Sequence, residues 1–560
     1  MIKKKNKIAI EESKNNFFFN NKNKFLTVDF NRIAFLFFLF TVIILLYSLK
    51  LIYLGGLNSK LQNISKNPSS EFRADIIDNS GTFVAKSVRT FNVGVNPKLI
   101  REKKNFIIKL KLIFPKKDFS EIEKKIKKNK FFYIEKRISS NNLEKIRMLG
   151  EKSIIIEEKI ARIYPQKELL SHIIGQIDDG NKGISGVEKS YDEILKSQRE
   201  PLKLTIDSNI QHLIREELLR AEKYFKNVGS SAILMNIHNG EILSMISLPD
   251  FDINKRDQIK DKRYINRSTK GVYELGSVFK TFTIASALDE GVIETETKFQ
   301  NLEKTIFCGG KPIREYDEKL PSNLTAEEIL IRSGNIGSVK IAQRVGLENY
   351  RNFLKKLGIL DELKFDILEV GKPLQFNWGK CKLATVSFGH GITITPLHLA
   401  KGYSVISNGG YDINPTIIKK ENNYKKNKKI ILKKDVSQKI NKILRKIVNT
   451  KDGTAGLADV EGYEIGGKTG TAQQVENGVY SRKKINTFAS IFPISNPKYV
   501  LIVLLEAPKT SKDYIYKYRN KPGTFIGTPF NTAGWTSVEI TGRIIEKIGP
   551  ILAIKYLDPI

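Results

Sequence analysis

Three short polar clusters carry residue types suited to acyl transfer. The first is Ser277-Val278-Phe279-Lys280. A serine hydroxyl is a poor nucleophile until a base takes its proton, and a lysine serves as that base once burial or nearby positive charge lowers its pKa. Residues three apart on a helix share a face, so the Lys280 ammonium can approach the Ser277 hydroxyl. The second cluster is Ser333-Gly334-Asn335, which follows a helical pattern (AEEILIRS) where chain reversal can aim two polar side chains into a cleft. The third is Lys468-Thr469-Gly470-Thr471, after the strand-like YEIGG. A strand edge that offers backbone N–H groups beside an ammonium and two hydroxyls suits a substrate carboxylate and an oxyanion.

Each cluster alone is weak. The S-x-x-K spacing recurs at Ser481–Lys484 and at Ser495–Lys498. Those copies fall in a Lys-rich loop and a strand-connecting turn, where a solvated charge is the expectation. Only Ser277 opens an apolar stretch, VFKTFTIASALDEG, closed by Gly291 as a helix end. By itself Ser333-Gly334-Asn335 reads as a helix-ending turn, and the K-T-G run as an exposed edge with a solvated lysine.

The elements that must position these clusters are legible on either side of them. From Pro201, LKLTID reads as a short strand, Asp207 as a helix cap, and Ile210, Leu213, Ile214 and Leu218 as one helix face. Ser231–Asn236 and Glu241–Ser247 read as strands joined through His238-Asn239-Gly240, and INTFASIFPI and YVLIVLLEAP as a pair around Ser495-Asn496-Pro497-Lys498. A helix over TAGWTSVEITGRIIEKI closes the unit. Helix, strands, a helical middle, strands and a final helix predict an α/β (α+β) sandwich with a mostly antiparallel sheet.

Upstream, RADIIDNSGTFVAKSVRTFNV reads as a hairpin around Asn79-Ser80-Gly81, and residues 98–157 as Lys-rich amphipathic surface helices such as FSEIEKKIKKN and NNLEKIRML. No catalytic grouping occurs there, so a binding or spacing module is expected. Residues 33–49 (IAFLFFLFTVIILLYSL) carry no charge and continue after Lys50 as LIYLGGL. About 20 apolar residues cross a hydrocarbon core, and a lysine near the end of such a segment can snorkel to the headgroups. A span over 33–54 follows. Lys3, Lys4, Lys5, Lys7, Lys14, Lys22, Lys24 and Arg32 precede it against Glu11, Glu12 and Asp29, which predicts a cytoplasmic N-terminus. A cleaved signal peptide would need a shorter apolar core and an A-x-A-like site, and LIYLGGLNSKLQ offers none.

At 560 residues, 41% hydrophobic and 9% aromatic, the chain supports several folded units. The formal charge of +34 is spread as lysine along the whole sequence without a recognition motif, so nucleic acid is not an expected partner. Anionic phospholipid or an acidic extracytoplasmic polymer suits that charge better. Cys308 and Cys381 show no CxxC or His/Cys clustering, so neither a metal nor another cofactor is expected; they read as two buried free thiols, although an oxidising compartment would permit pairing. His390 and His398 read as packing or turn residues of exposed loops.

In that order, S-x-x-K, S-x-N and K-T-G form the signature that penicillin-binding proteins share with serine β-lactamases. GVYELGSVFKTFTIASALDEG, SGNIGSVKIA, SFGHGITITPLHLA, GGKTGTAQ and TAGWTSVEITGRII resemble class B penicillin-binding proteins, especially the division-type peptidoglycan D,D-transpeptidase. RADIIDNSG, RIYPQKELLSHIIGQIDDGNKGISGVEKSYD and LTIDSNIQ resemble that family's pedestal domain and its junction. The likeness runs from about residue 73 to about 550. It implies a basic tail (1–32), an anchor (33–54), a linker (58–72), an elongated dimerisation-type pedestal (73–200) and a transpeptidase domain (201–555).

The same resemblance implies the roles. Ser277 would attack the carbonyl between the last two D-alanines of a stem peptide with Lys280 as base. Ser333 and Lys468 would return the proton to the leaving D-alanine. Asn335 would bind the peptide amide, Thr469 and Thr471 the terminal carboxylate with Gly470 beside them in the same substrate-binding run, and the N–H groups of Ser277 and Thr471 the oxyanion. The implied partners are peptidoglycan stem peptides as donor and amine acceptor, β-lactams, a membrane glycosyltransferase and other division proteins at the inner membrane. Leu275 departs from an expected proline, and Gly334 from a common serine. A β-lactamase would need a base that activates water, and typically lacks an anchor and a pedestal. A carboxypeptidase, an elongation-type transpeptidase and a non-catalytic division scaffold stay open, because acceptor choice and site of action are not written in the motifs.

Overall fold

Apolar periodicity, turn chemistry and capping residues act at each stage of the chain to produce the elements described below. The computed structural model describes residues 9–11, 16–21, 24–62, 72–138, 140–255, 262–375, 377–379, 381–420, 429–476, 478–519 and 522–556. Two units result, residues 1–72 and 73–560. In the first, three short antiparallel strands precede helix α1, Phe30–Gln62. Its segment Ala34–Tyr53 is 20 residues long, with every side chain exposed. A predominantly apolar, exposed surface is suited to lipid rather than water. The helix extends through residues 58–62, which were expected to be linker; the remainder of the linker to residue 71 lies outside the described residues.

The second unit begins with Arg73. A hairpin does form around Asn79-Ser80-Gly81: Asp78 Oδ1 accepts the N–H groups of Ser80 (2.9 Å) and Thr82 (2.8 Å), an Asx-type turn, and Gly81 takes φ +91°. Its second strand, Phe83–Val95, pairs antiparallel with Ile154–Ile163 and Phe132–Ile138. Surface helices Phe119–Lys127 and Ser140–Met148 fall where the amphipathic pattern predicts them, and Phe119, Ile122 and Ile126 join a small separate core. Leu202–Lys203 pairs parallel with Ile76–Ile77, so the chain is hydrogen-bonded across the boundary expected near Pro201.

Past that point Asp207 caps helix α2, Ser208–Phe225, accepting from Asn209 N (3.0 Å) and Ile210 N (3.2 Å). Its apolar face enters the main core, with Ile210, Ile214 and Leu218 fully buried. Five antiparallel strands make the central sheet: β1, Gly229–Asn236; β2, Ile242–Leu248; β3, Gly466–Glu476; β4, Val479–Phe492; and β5, Tyr499–Glu506. Their order is β2-β1-β5-β4-β3, which leaves β3 at one edge. β1, β2 and most of β5 are buried at consecutive positions, as expected of a sheet covered on both faces. Helix α2 and the last helix, Ser537–Tyr556, pack together as one layer, and the helical middle supplies the other. The sandwich expected from the element order is therefore present.

Three local expectations need correction. Ser481–Lys484 belongs to β4 and not to a loop, because the ladder with β3 continues through it, Gln473 opposite Lys484 and Val475 opposite Tyr480; half-buried Lys484 donates to Asn531 O at 2.9 Å. His398 is fully buried inside helix Pro396–Ser407, where its ring nitrogens meet Thr395 Oγ1 (2.7 Å) and Asp361 O (2.9 Å). Cys308 and Cys381 form a disulfide, with Cα atoms 5.7 Å apart and both residues only partly buried. A hairpin fold brings them within bonding distance over a sequence separation of 73 residues, which spacing alone could not reveal.

Candidate active site

The turn that carries Ser277 is a single 3₁₀ turn, Gly276–Val278, running straight into helix α3, Phe279–Asp289. Every residue of α3 from Phe279 to Leu288 is buried. Such a helix needs partners for its hydroxyls. Thr281 bonds to Tyr403 OH (2.9 Å), Tyr403 OH donates to Val278 O (2.9 Å), and Thr283 Oγ1 donates to Ser387 O (2.8 Å). Gly276 takes φ +62°, and a Cβ there would lie 3.0 Å from Thr471 O. Leu275, in the place of the expected proline, is fully buried in the main core, so packing holds the approach to Ser277. Ser277 itself is half-buried and Lys280 is fully buried.

Lys280 lies on the expected face, but its nearest partners belong to the second cluster. Its Nζ donates to Asn335 Oδ1 (2.6 Å), Ser333 O (2.5 Å) and Ser333 Oγ (3.2 Å); among the described residues, no hydrogen bond joins it to Ser277 Oγ. Ser333 follows helix Ala326–Ile331 in a left-handed conformation, φ +61°, uncommon for a residue with a side chain. Helix α4, Asn335–Val345, starts two residues later. The backbone reversal aims both Ser333 Oγ and Asn335 Oδ1 at the same ammonium.

The third cluster lies within β3 itself, not behind a preceding strand, and β3 is the sheet edge that the sequence calls for. Lys468 is fully buried, and its Nζ donates to Ser333 Oγ (2.9 Å) and Thr469 O (3.2 Å). Thr469 Oγ1 meets Thr454 Oγ1 at 2.8 Å, and Thr471 Oγ1 accepts from Ala533 N at 2.9 Å. Gly470 is required by close approach: a Cβ there would lie 2.3 Å from Leu275 O. The bare backbone of β3 thus presses against the turn that carries Ser277.

Ser333 Oγ consequently stands between two buried amines. Burial pushes Lys280 down to about 7, opposed by the Glu315 carboxylate. Burial and the neighbouring Lys280 hold Lys468 well below the usual lysine range. Two ammonium groups sharing one hydroxyl repel, which favours loss of a proton from one of them. The arrangement can take a proton at one side of Ser333 and release it at the other.

The motifs gave no sign of several residues around them. Glu315 accepts from Asn335 N (2.7 Å) and Ile336 N (2.8 Å). Glu274, three residues before Ser277, accepts from Gly391 N (2.9 Å) and Tyr480 OH (3.1 Å), and burial raises its carboxyl pKa. Burial and the Lys280 charge hold the His390 imidazole below its ordinary value. Only Glu274 carried a local signal, its spacing from Ser277.

Comparison with known proteins agrees with this geometry. Residues 230–522 match the penicillin binding protein transpeptidase domain, and residues 69–222 the penicillin-binding protein dimerisation domain. The chain is 30% identical over 496 residues to the probable peptidoglycan D,D-transpeptidase FtsI of Caulobacter vibrioides, covering 86% of this chain and 82% of that protein. It is 30% identical over 524 residues to peptidoglycan D,D-transpeptidase FtsI of Buchnera aphidicola, covering 85% and 88%. With stage V sporulation protein D of Bacillus subtilis it shares 28% identity over 556 residues, covering 89% and 82%. The chain belongs to the penicillin-binding proteins, and the pairing of a dimerisation domain with a transpeptidase domain puts it in class B.

Proposed function

We propose that this protein is a serine-type peptidoglycan D,D-transpeptidase that crosslinks stem peptides through an acyl-enzyme and is inhibited by β-lactams. The observation that carries the reading is Ser333 Oγ, within hydrogen-bonding distance of both Lys280 and Lys468 beside the Ser277 turn. Neutral Lys280 takes the Ser277 proton as Oγ attacks the penultimate D-alanine carbonyl. The N–H groups of Ser277 and Thr471 receive the oxyanion, where loss of one donor typically costs about 10² to 10³ in rate. The C–N bond breaks, and the proton travels through Ser333 and Lys468 to the leaving D-alanine. Asn335 orients the peptide amide, and Thr469, Gly470 and Thr471 line the strand that receives the terminal carboxylate. An amine of a neighbouring stem peptide then takes the acyl group from Ser277.

Residues 73–200 form the pedestal in this reading and 201–555 the catalytic domain. Helix α1 anchors the chain in the cytoplasmic membrane, with the basic tail 1–32 inside by the positive-inside rule and the catalytic domain outside. A role in septal synthesis, beside a membrane glycosyltransferase and other division proteins, is supported by the relatives that bear the FtsI name. A fluorescent penicillin is expected to label the purified protein covalently, and Ser277→Ala to abolish the label. No label on folded wild type would overturn the enzymatic reading in favour of a scaffold. A tagged copy spread along the side wall instead of the septum would favour an elongation role.

A further inference from the structure

Helix α4 begins at Asn335 without a local cap. Its N-cap residue is Gly334, which has no side chain to receive the free N–H groups of the first turn. The helix just before it is different: Thr325 and Glu328 form a reciprocal capping box for Ala326–Ile331. For α4 the acceptor comes from a distant segment. Glu315 Oε2 accepts from Asn335 N (2.7 Å) and Oε1 from Ile336 N (2.8 Å), while Arg314 O accepts from Asn335 Nδ2 (2.8 Å). With its Nδ2 occupied, Asn335 presents Oδ1 to Lys280 at 2.6 Å.

The segment that supplies these acceptors is braced. Arg314 ends a hairpin of Thr305–Cys308 with Lys311–Arg314. Cys308 of that hairpin is bonded to Cys381, and Ile313 packs in one small core with Val339 of α4, Ala384 and Phe388. We infer that Glu315 is a positioning residue for acyl transfer, clamping the start of α4 so that Ser333 and Asn335 face Lys280. The inference rests on the transpeptidase reading above.

The clamp acts through both geometry and charge. Glu315 acts on Lys280, and the Lys280 charge in turn lowers the proton affinity of Lys468 from β3 and of His390 from the loop before helix Pro396–Ser407; the neutral partners are Ser333 and Asn335. Among the described residues Glu315 is the anion that acts on Lys280, and it favours the protonated amine. Removing it therefore has two separable effects: looser placement of Ser333 and Asn335, and a base that becomes neutral at lower pH.

The test is the second-order rate of acylation by a fluorescent penicillin against pH, with thermal melting, for full-length wild type, Glu315→Ala, Glu315→Gln and Glu315→Asp. The alkaline plateau of Glu315→Ala is expected to fall about 10- to 100-fold, as for a small misplacement of catalytic groups. Its acid-limb midpoint is expected to move to lower pH. Glu315→Gln keeps one acceptor oxygen and serves if the alanine variant folds poorly; it should show the same shift with a smaller loss, and Glu315→Asp should restore both in part. A wild-type plateau and midpoint in a folded variant would overturn the inference. So would a rate that falls only with the folded fraction while the midpoint stays fixed. Wild type that takes no label would instead overturn the transpeptidase reading beneath it.

Discussion

Arg73 and Arg162, at the pedestal junction, are almost as deeply buried as Lys280 and Lys468 in the active site, yet the two pairs of cations live under opposite rules. The arginines are compensated. Glu188, fully buried, bonds to both, with Arg162 Nε at 2.7 Å, and Asp192 Oδ1 meets Arg73 Nη1 at 2.6 Å. Arg162 also donates to Ser87 Oγ at 3.0 Å. Charge paired this way in the interior fixes geometry. The lysines face neutral oxygens and each other, with half-buried Glu315 the one anion acting on Lys280 among the described residues, so burial lowers their affinity for protons. Two patches of similarly hidden charge thus become a strut in one place and the proposed reactive centre in the other, according to whether an anion was buried with them.

Replacing Lys280 by Met should break the reactive side of this contrast alone. Acylation by penicillin is expected to fall by about 10² to 10⁴, the usual contribution of a general base, with little change in melting temperature because a poorly compensated cation is lost along with its hydrogen bonds. Glu188→Ala should break the other side. It strands two buried guanidinium groups and should cost about 3–5 kcal/mol in urea unfolding, while the folded fraction still acylates at the wild-type rate. Equal loss of rate and stability in both variants would end the distinction.

The pH dependence sharpens it. Acylation should rise through a midpoint near 7, where buried Lys280 loses its proton. The same shift has a sign in stability: between about 7 and the ordinary lysine range the unfolded chain binds more protons, so stability from this site grows as pH rises through that window and is lost as pH falls to 7. Titration of wild type against Lys280→Met, by melting temperature at each pH, isolates that slope. The smallest effect is expected where charge lies mostly in solvent. Lys125 and Glu121, an exposed pair at 2.8 Å one helical turn apart, should contribute less than about 0.5 kcal/mol, measured by Lys125→Ala in urea.

Much of this was legible wherever local chemistry decides the outcome. Asp207 as a cap, Gly240 in its hairpin, Gly291 at a helix end and the apolar run behind Ser277 each act on near neighbours in sequence. The order of the three motifs then separated Ser277 from two decoys, one of which turned out to lie in β4 and the other in the turn after it. What sequence could not supply was long-range. Cys308 and Cys381 looked like isolated thiols because nothing nearby predicts a hairpin meeting a distant loop. Glu315 carries no motif in the sequence, since its partners are backbone N–H groups of a distant segment. The direction of the Lys280 side chain, towards Ser333 rather than Ser277, depends on a left-handed residue that only the folded chain reveals.

The edge position of β3 has a further consequence. Proteins commonly blunt an open sheet edge, since its unpaired backbone groups attract any extended chain. Here the protection is uneven. Between Gln473 and Val475 the register slips in a bulge, and beyond it Glu476 pairs with Lys483 at 2.7 Å, so the outer half is twisted and charged. From Gly466 to Thr471 the pairing with β4 runs regularly and carries no acidic side chain. The edge of this five-stranded sheet is thus guarded against self-association by twist and charge at its exposed far end, and by burial along Gly466–Gly470, where Gly470 lies against the Ser277 turn.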